Sequence, residues 1–216
     1  MHPLRWFLAA PVIIVLGTIP GAAQTPGTVP GHVGSQTCSG CHESEARAWT
    51  GSHHAWAWTQ PGETTVLGDF DDAVFEHKGA VTFFTRHDGL FFVETEGSDG
   101  AFHTFQLVGV VGVAPLQQYL VSTESGRFQA LDIVWDVEGK RWYHLYPDQE
   151  LPPGAGLHWT GAYKNWNARC AECHATGFVK GYDPGSRIYD SRQAECPSVT
   201  RAQKANSHPR NGTDVR

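Results

Sequence analysis

Val81-Thr-Phe-Phe-Thr-Arg86 and Leu90-Phe-Phe-Val-Glu-Thr95 are two short runs of aromatic and β-branched residues, with Asp88-Gly89 between them. Such runs favour strands. Asp-Gly suits a tight hairpin turn, because both central positions of the favoured turn need positive φ. The stretch therefore predicts a β-hairpin. Working outward, Ser98-Asp99-Gly100 turns the chain into an apolar run from Phe102 to Val111. Glu138-Gly139 separates Gly126–Trp135 from Lys140–Tyr146 in the same way. Pro115 to Val121 fits a strand or a short helix. The middle of the chain reads as an antiparallel meander of about five or six strands.

Two pentapeptides flank this region. One is Cys38-Ser-Gly-Cys41-His42, the other Cys170-Ala-Glu-Cys173-His174. Cys-x-x-Cys-His is the attachment pattern of c-type haem. Each thiol can add to one porphyrin vinyl group, and the adjacent imidazole can ligate iron from the proximal side. The residues that would hold haem are thus Cys38, Cys41, Cys170 and Cys173, with His42 and His174 as proximal ligands. Disulfides or a four-cysteine zinc site are the rival readings. Zinc does not require a His after each pair, and the long gap between the pairs is unlike a compact zinc ribbon. No phosphate loop, nucleophile elbow or His-Glu-x-x-His is present.

The first residues read as an export signal: Arg5 in a short n-region, an uncharged apolar run from Trp6 to Pro20, and small residues up to Ala23. An uncleaved membrane anchor is the other reading, against which the run falls short of a span and carries Pro11 and Pro20; either way the rest of the chain is exported. Cleavage after Ala23 leaves residues 24–34, rich in Gly, Pro and Thr, as a flexible N-terminus, and implies a periplasmic or otherwise exported protein. No span is expected after signal removal. The chain has 16 Lys and Arg against 22 Asp and Glu, a net charge of −6. That acidic balance argues against nucleic acid as a partner.

The single methionine is Met1. A processed chain therefore cannot make a His/Met haem, and the sixth ligands must be His, something less common, or absent. Among 12 His, His54 and His158 are the leading candidates for distal ligands, since each lies beside a haem segment and next to Trp. His53 and His77 are weaker candidates. His53 and His54 lie towards the end of a helix-like stretch from Glu43 to Trp58, so His42 and His54 are expected to share one helix. Trp49, Trp56, Trp58, Trp159 and Trp166 are expected either to cover porphyrin faces or to pack in an ordinary core.

The chain resembles exported multihaem cytochrome c domains of the tetrahaem-cytochrome superfamily, often followed by tetratricopeptide repeats. The resemblance runs from about Val33 to Asp190. It is carried by the haem motifs with Ser52-His-His-Ala55, Pro115-Leu-Gln-Gln-Tyr-Leu120, Arg141-Trp-Tyr-His144 and Asn165-Trp-Asn167. It implies that His54 is a distal ligand. Cys196 stands where such domains begin a third haem motif, but Pro197-Ser-Val-Thr-Arg-Ala-Gln203 follows. Degenerate codons for that run, shifted by one base, can read Gln-Ala-stop-His-Gly-Pro. A frameshift near Cys196 is one reading of an aberrant or disordered tail at 191–216, with the third haem site lost or incomplete. A naturally divergent end with a free cysteine is the other.

The expected fold is α+β: one multihaem domain at 35–190, with haem-binding helical segments flanking an antiparallel β insertion at about 66–150 and an irregular, loop-rich core around the haems. The expected function is electron transfer by two covalent haems c with His ligation. The expected partners are redox proteins, including other multihaem cytochromes. One alternative is a multihaem oxidoreductase acting on a small nitrogen or sulfur compound at an open haem. Another is an interaction module using the β lobe. A carrier is favoured over a catalyst, because nothing in the sequence marks an open site.

Overall fold

The computed structural model describes residues 35–50 and 52–191. The stretch expected to be an export signal, the N-terminal stretch up to residue 34 and the tail with Cys196 lie outside the described residues. The element order is α1 (Ser35–Ser39), α2 (Glu43–Thr50), β1 (Ala73–His77), β2 (Ala80–His87), β3 (Leu90–Glu96), β4 (Phe102–Val111), β5 (Leu116–Ser122), β6 (Phe128–Ala130), β7 (Ile133–Asp136), β8 (Arg141–His144), α3 (Trp166–Arg169), α4 (Ala171–His174), β9 (Tyr182–Asp183) and β10 (Ile188–Tyr189). Among the described residues no helix is long and apolar enough to cross a membrane.

β1 to β8 form one antiparallel sheet in the order β1-β2-β3-β4-β5-β7-β8, with β6 pairing on β5. The expected Asp88-Gly89 hairpin is present: both residues have positive φ, and His87 pairs with Leu90. Lys78-Gly79 makes an equivalent turn between β1 and β2. Pro115–Val121 resolves as strand β5. Side chains alternate across the sheet, so Thr82 and Phe84 on β2 and Phe91, Val93 and Thr95 on β3 are buried. Each such large apolar side chain contributes about 1.5–3 kcal/mol of transfer free energy.

The sheet curls until its ends meet. His77 on β1 stacks on His144 on β8 with ring centroids 4.8 Å apart, and Lys78 pairs with Glu150 at 3.0 Å. Inside, Phe70 meets Phe84, Phe91, Tyr119 and Trp142 edge-on at 5.3–5.5 Å. A buried polar knot ties the segment before β1 to β5. Gln117 Oε1 accepts from the backbone N–H of Leu67 and from the Tyr119 hydroxyl, which itself accepts from Gly68 N–H. Burial pushes the Tyr119 phenol far above its ordinary pKa.

This architecture corrects the expected α+β fold. The molecule is mostly one antiparallel sheet forming a nearly closed barrel, with a few short helices at its side. The β region is the body of the fold and not an insertion between helical haem segments. The helix expected from Glu43 to Trp58 ends at Thr50, and turns follow from Ser52.

Candidate haem site

Each Cys-x-x-Cys-His sequence forms one helical turn. Cys38 C=O accepts from the N–H groups of Cys41 and His42, at 3.1 and 3.0 Å. Cys170 C=O accepts from those of Cys173 and His174, both at 3.1 Å. Residues three and four apart share a helix face. Each turn therefore puts two thiols and the following imidazole on one side.

The second turn is firmly held. Asn165 caps α3, its side chain accepting from Ala168 N–H at 3.0 Å. Asn167 is buried; it accepts from Phe128 N–H at 2.7 Å and donates to Gly126 C=O and Ser191 Oγ. The Gln129 side chain donates to the carbonyls of Trp159 and Gly161. Lys164 pairs with Asp132 at 2.6 Å, both largely buried. Together these dock α3 and α4 onto β6. Trp166 and Ala171 face inward, and Trp166 lies edge-on to His174 at 5.4 Å. Cys170 is half-buried, which pushes its thiol pKa up, while Cys173 and His174 are exposed.

The first turn stands further out. Cys38, Cys41 and His42 are exposed. Glu43 and Glu45 occupy the first turn of α2, where acidic groups suit the helix dipole. After α2, Ala55 and Trp56 are buried against Trp49 and Val113. Trp56 C=O accepts from Gly112 N–H, and Thr59 exchanges two hydrogen bonds with Val110 at 2.9 Å. The flank of the first motif is thus anchored to β4 and that of the second to β6, on either side of β5. Strand spacing puts those two tethers roughly 10 Å apart across the sheet.

The distal candidates fall in different places. His53 and His54 are exposed on the turns after α2. His158 is half-buried, and burial lowers its pKa against the opposing pull of Asp132 and Glu96. Its Nδ1 lies 2.7 Å from Thr160 Oγ1 and accepts from Thr160 N–H, leaving Nε2 as the nitrogen it can offer. His77 sits in the barrel seam between Phe75 and His144, and its Nε2 is buried without a hydrogen-bond partner.

The donor set fits covalent haem: paired thiols and an imidazole on one helix face, presented twice. It does not fit a shared metal ion. All four described cysteines are free thiols, and among the described residues no three His, Cys, Asp or Glu side chains converge on a common point. Sequence reasoning gave no role to Leu90, Val108, Phe128 or Phe178, which line a cleft beside Trp166. Their signal in the sequence was only that Leu90, Val108 and Phe128 fall in the apolar runs read as strands.

A family model described as cytochrome c554 and c-prime matches residues 37–68, which include the first haem turn, α2 and the turns carrying His53 and His54. The match supports a cytochrome c-type domain, and with it a haem-binding electron-transfer protein carrying covalent haem c. Neither a curated protein nor a solved structure matches the chain.

Proposed function

We propose that this chain is an exported dihaem electron carrier, with one haem c on Cys38 and Cys41 and a second on Cys170 and Cys173. The observation that carries this reading is the repetition of one local geometry: two thiol–thiol–imidazole turns, each anchored by its flank to the same part of the barrel. Haem, when attached, supplies a one-electron ferric/ferrous couple. The chain's own residues do the rest. The thiols would fix the porphyrin, and His42 and His174 would offer imidazole nitrogens to the iron. With methionine confined to Met1, the sixth positions fall to His54 and His158, with His53 and His77 behind them. Redox proteins, including other multihaem cytochromes, are the partners, in the periplasm or its equivalent. The resemblance to tetrahaem domains belongs to this same reading.

The test is the intact mass and reduced pyridine–haem spectrum of the chain produced with cytochrome c maturation factors. The expected result is a polypeptide cleaved after Ala23 and carrying two haems. A single haem would limit the reading to one motif, and a bare polypeptide would overturn it. In the ferric state, wholly low-spin haem supports a carrier. A high-spin fraction would favour the alternative, an oxidoreductase acting on a small nitrogen or sulfur compound at an open iron.

A further inference from the structure

We propose that the apolar cleft between Trp58 and Trp166 seats the porphyrin attached at Cys170 and Cys173, so that the segment following the first motif forms a wall for the haem of the second. This rests on the proposed attachment of haem at both motifs and adds where the second haem lies and what covers it.

Two clefts flank the helical turns that carry the second motif. The larger, about 700 Å³, borders Ala168 and Arg169 and is ringed by charged and polar groups including Asp99, His103, Glu124 and Arg127. The smaller, about 390 Å³, borders Trp166 and Phe178 and is walled by Trp58, Leu90, Val108 and Phe128. Helical periodicity and packing decide between them. Trp166 and Cys170 are four residues apart and lie on one side, with Ala168 on the opposite side; Arg169, three residues after Trp166 and four before Cys173, does not discriminate between the clefts. The Cys170 thiol therefore lies on the side of the smaller cleft. Packing agrees, because Cys170 belongs to the same apolar cluster as Trp58, Val108, Phe128, Trp166 and Phe178. The cleft is within the size range of small-molecule sites, roughly 300–1,000 Å³.

Two further features fit a seat of this kind. Gly109 leaves β4 bare where Trp58 crosses it: a Cβ there would stand 2.5 Å from the indole Nε1 and 2.9 Å from Leu120 Cδ1. The strand thus makes room for Trp58 to lie close against the sheet at the cleft wall. At the rim, Leu90 presents a large apolar side chain that is 44 % exposed. A flat apolar macrocycle held at Cys170 would cover it.

The test uses the two-haem protein, with the haems assigned by comparison with a Cys38→Ala/Cys41→Ala variant that keeps only the second attachment site. Leu90→Lys puts a cation at the cleft rim, on the exposed first residue of β3. Trp58→Phe thins the wall while keeping an aromatic ring. The expected result is a raised midpoint potential of the second haem in Leu90→Lys and an altered Soret band of that haem in Trp58→Phe, with the first haem unmoved in Leu90→Lys. Val74→Lys, at a more exposed apolar position on β1 (57 % exposed), should move neither. If mass shows haem on Cys170 and Cys173 but neither cleft variant alters its potential or spectrum, the seat is wrong and the dihaem reading stands. If no haem is attached there, both fail.

Discussion

Trp142 on β8 lies flat against Phe84 on β2, with ring centroids 3.6 Å apart and planes within 6°. These strands stand near opposite ends of the strand order, yet their side chains touch across the interior. The Trp142 indole also donates to Asp69 C=O, fastening the segment before β1 over the same point. This stack is therefore where barrel closure is felt as packing. Phe84→Ala is expected to cost about 3–5 kcal/mol, the range for deleting a fully buried aromatic ring. A double-mutant cycle with Trp142→Ala should leave a coupling of about 0.5–1.5 kcal/mol beyond the separate losses. Urea unfolding of the single and double variants reads both numbers; strictly additive losses would mean that the rings do not interact.

The pair Asp132–Lys164 fastens the segment leading to the second motif. Both groups are largely buried, and the Lys164 ammonium also sits 4.2 Å from the Tyr146 ring centroid. Removing one partner strands the other charge away from water. Asp132→Asn should lower stability by about 3–5 kcal/mol, as for other broken buried pairs. The double change Asp132→Asn with Lys164→Met should recover part of that loss, because no ion is then left unpaired. Equal instability in the single and double variants, by thermal unfolding, would show that the stranded charge is not the cause.

Local signals were legible in the sequence and closure was not. Asp88-Gly89 announced its hairpin, and Glu138-Gly139 marked the turn between β7 and β8, because turn chemistry is set by a few adjacent residues. The haem turns were equally plain, since their spacing is itself the helix repeat. The barrel depends on pairings and stacks between distant residues, such as His77 with His144, which no window of sequence contains. Trp135 and Trp142 belong to the barrel core, whereas Trp56, Trp58 and Trp166 do flank the haem turns. Nothing in their immediate sequence separates these two uses. The expected helix after His42 ran too far, because α2 ends at Thr50 and turns follow from Ser52 within an otherwise helical composition.

The turn between β7 and β8 gives a pH dependence. The Asp136 carboxylate accepts from Gly139 N–H at 2.7 Å, from Glu138 N–H at 3.2 Å and from Arg141 Nε at 3.3 Å. The backbone hydrogen bond from Gly139 is the main reason its pKa lies below the ordinary carboxylate value. A carboxyl depressed in the folded state stabilises the fold above the unfolded value, about 3.9. That contribution is lost as pH falls through the folded value. Asp136→Asn keeps the shape and one acceptor but removes the charge. The variant should melt below the wild type at neutral pH, and the two melting curves should converge on acidification below about pH 4. A gap that does not change with pH would assign the effect to shape and not to charge.

Asn165 and Asn167 explain why Asn-Trp-Asn precedes the second Cys-x-x-Cys-His turn. Asn165 supplies the N-cap of α3, and Asn167 satisfies Phe128 N–H while holding Gly126 and Ser191. Losing a cap costs about 0.5–2 kcal/mol. Leaving a buried N–H unpaired costs about 1–3 kcal/mol. Asn167→Leu should therefore destabilise more than Asn165→Ala, and Asn165→Asp, which caps as well, should be close to neutral. Because both residues act on the helical turns that present Cys170, Cys173 and His174, the losses should fall unevenly on the two proposed haem sites. In protein produced with maturation factors, Asn167→Leu should lower haem content at the second motif while the peptide containing Cys38 and Cys41 stays fully haem-modified. Mass spectrometry of the digested protein measures both peptides at once. Equal losses at the two motifs would show that Asn167 supports the barrel as a whole, and full occupancy at both would show that the second turn forms without it.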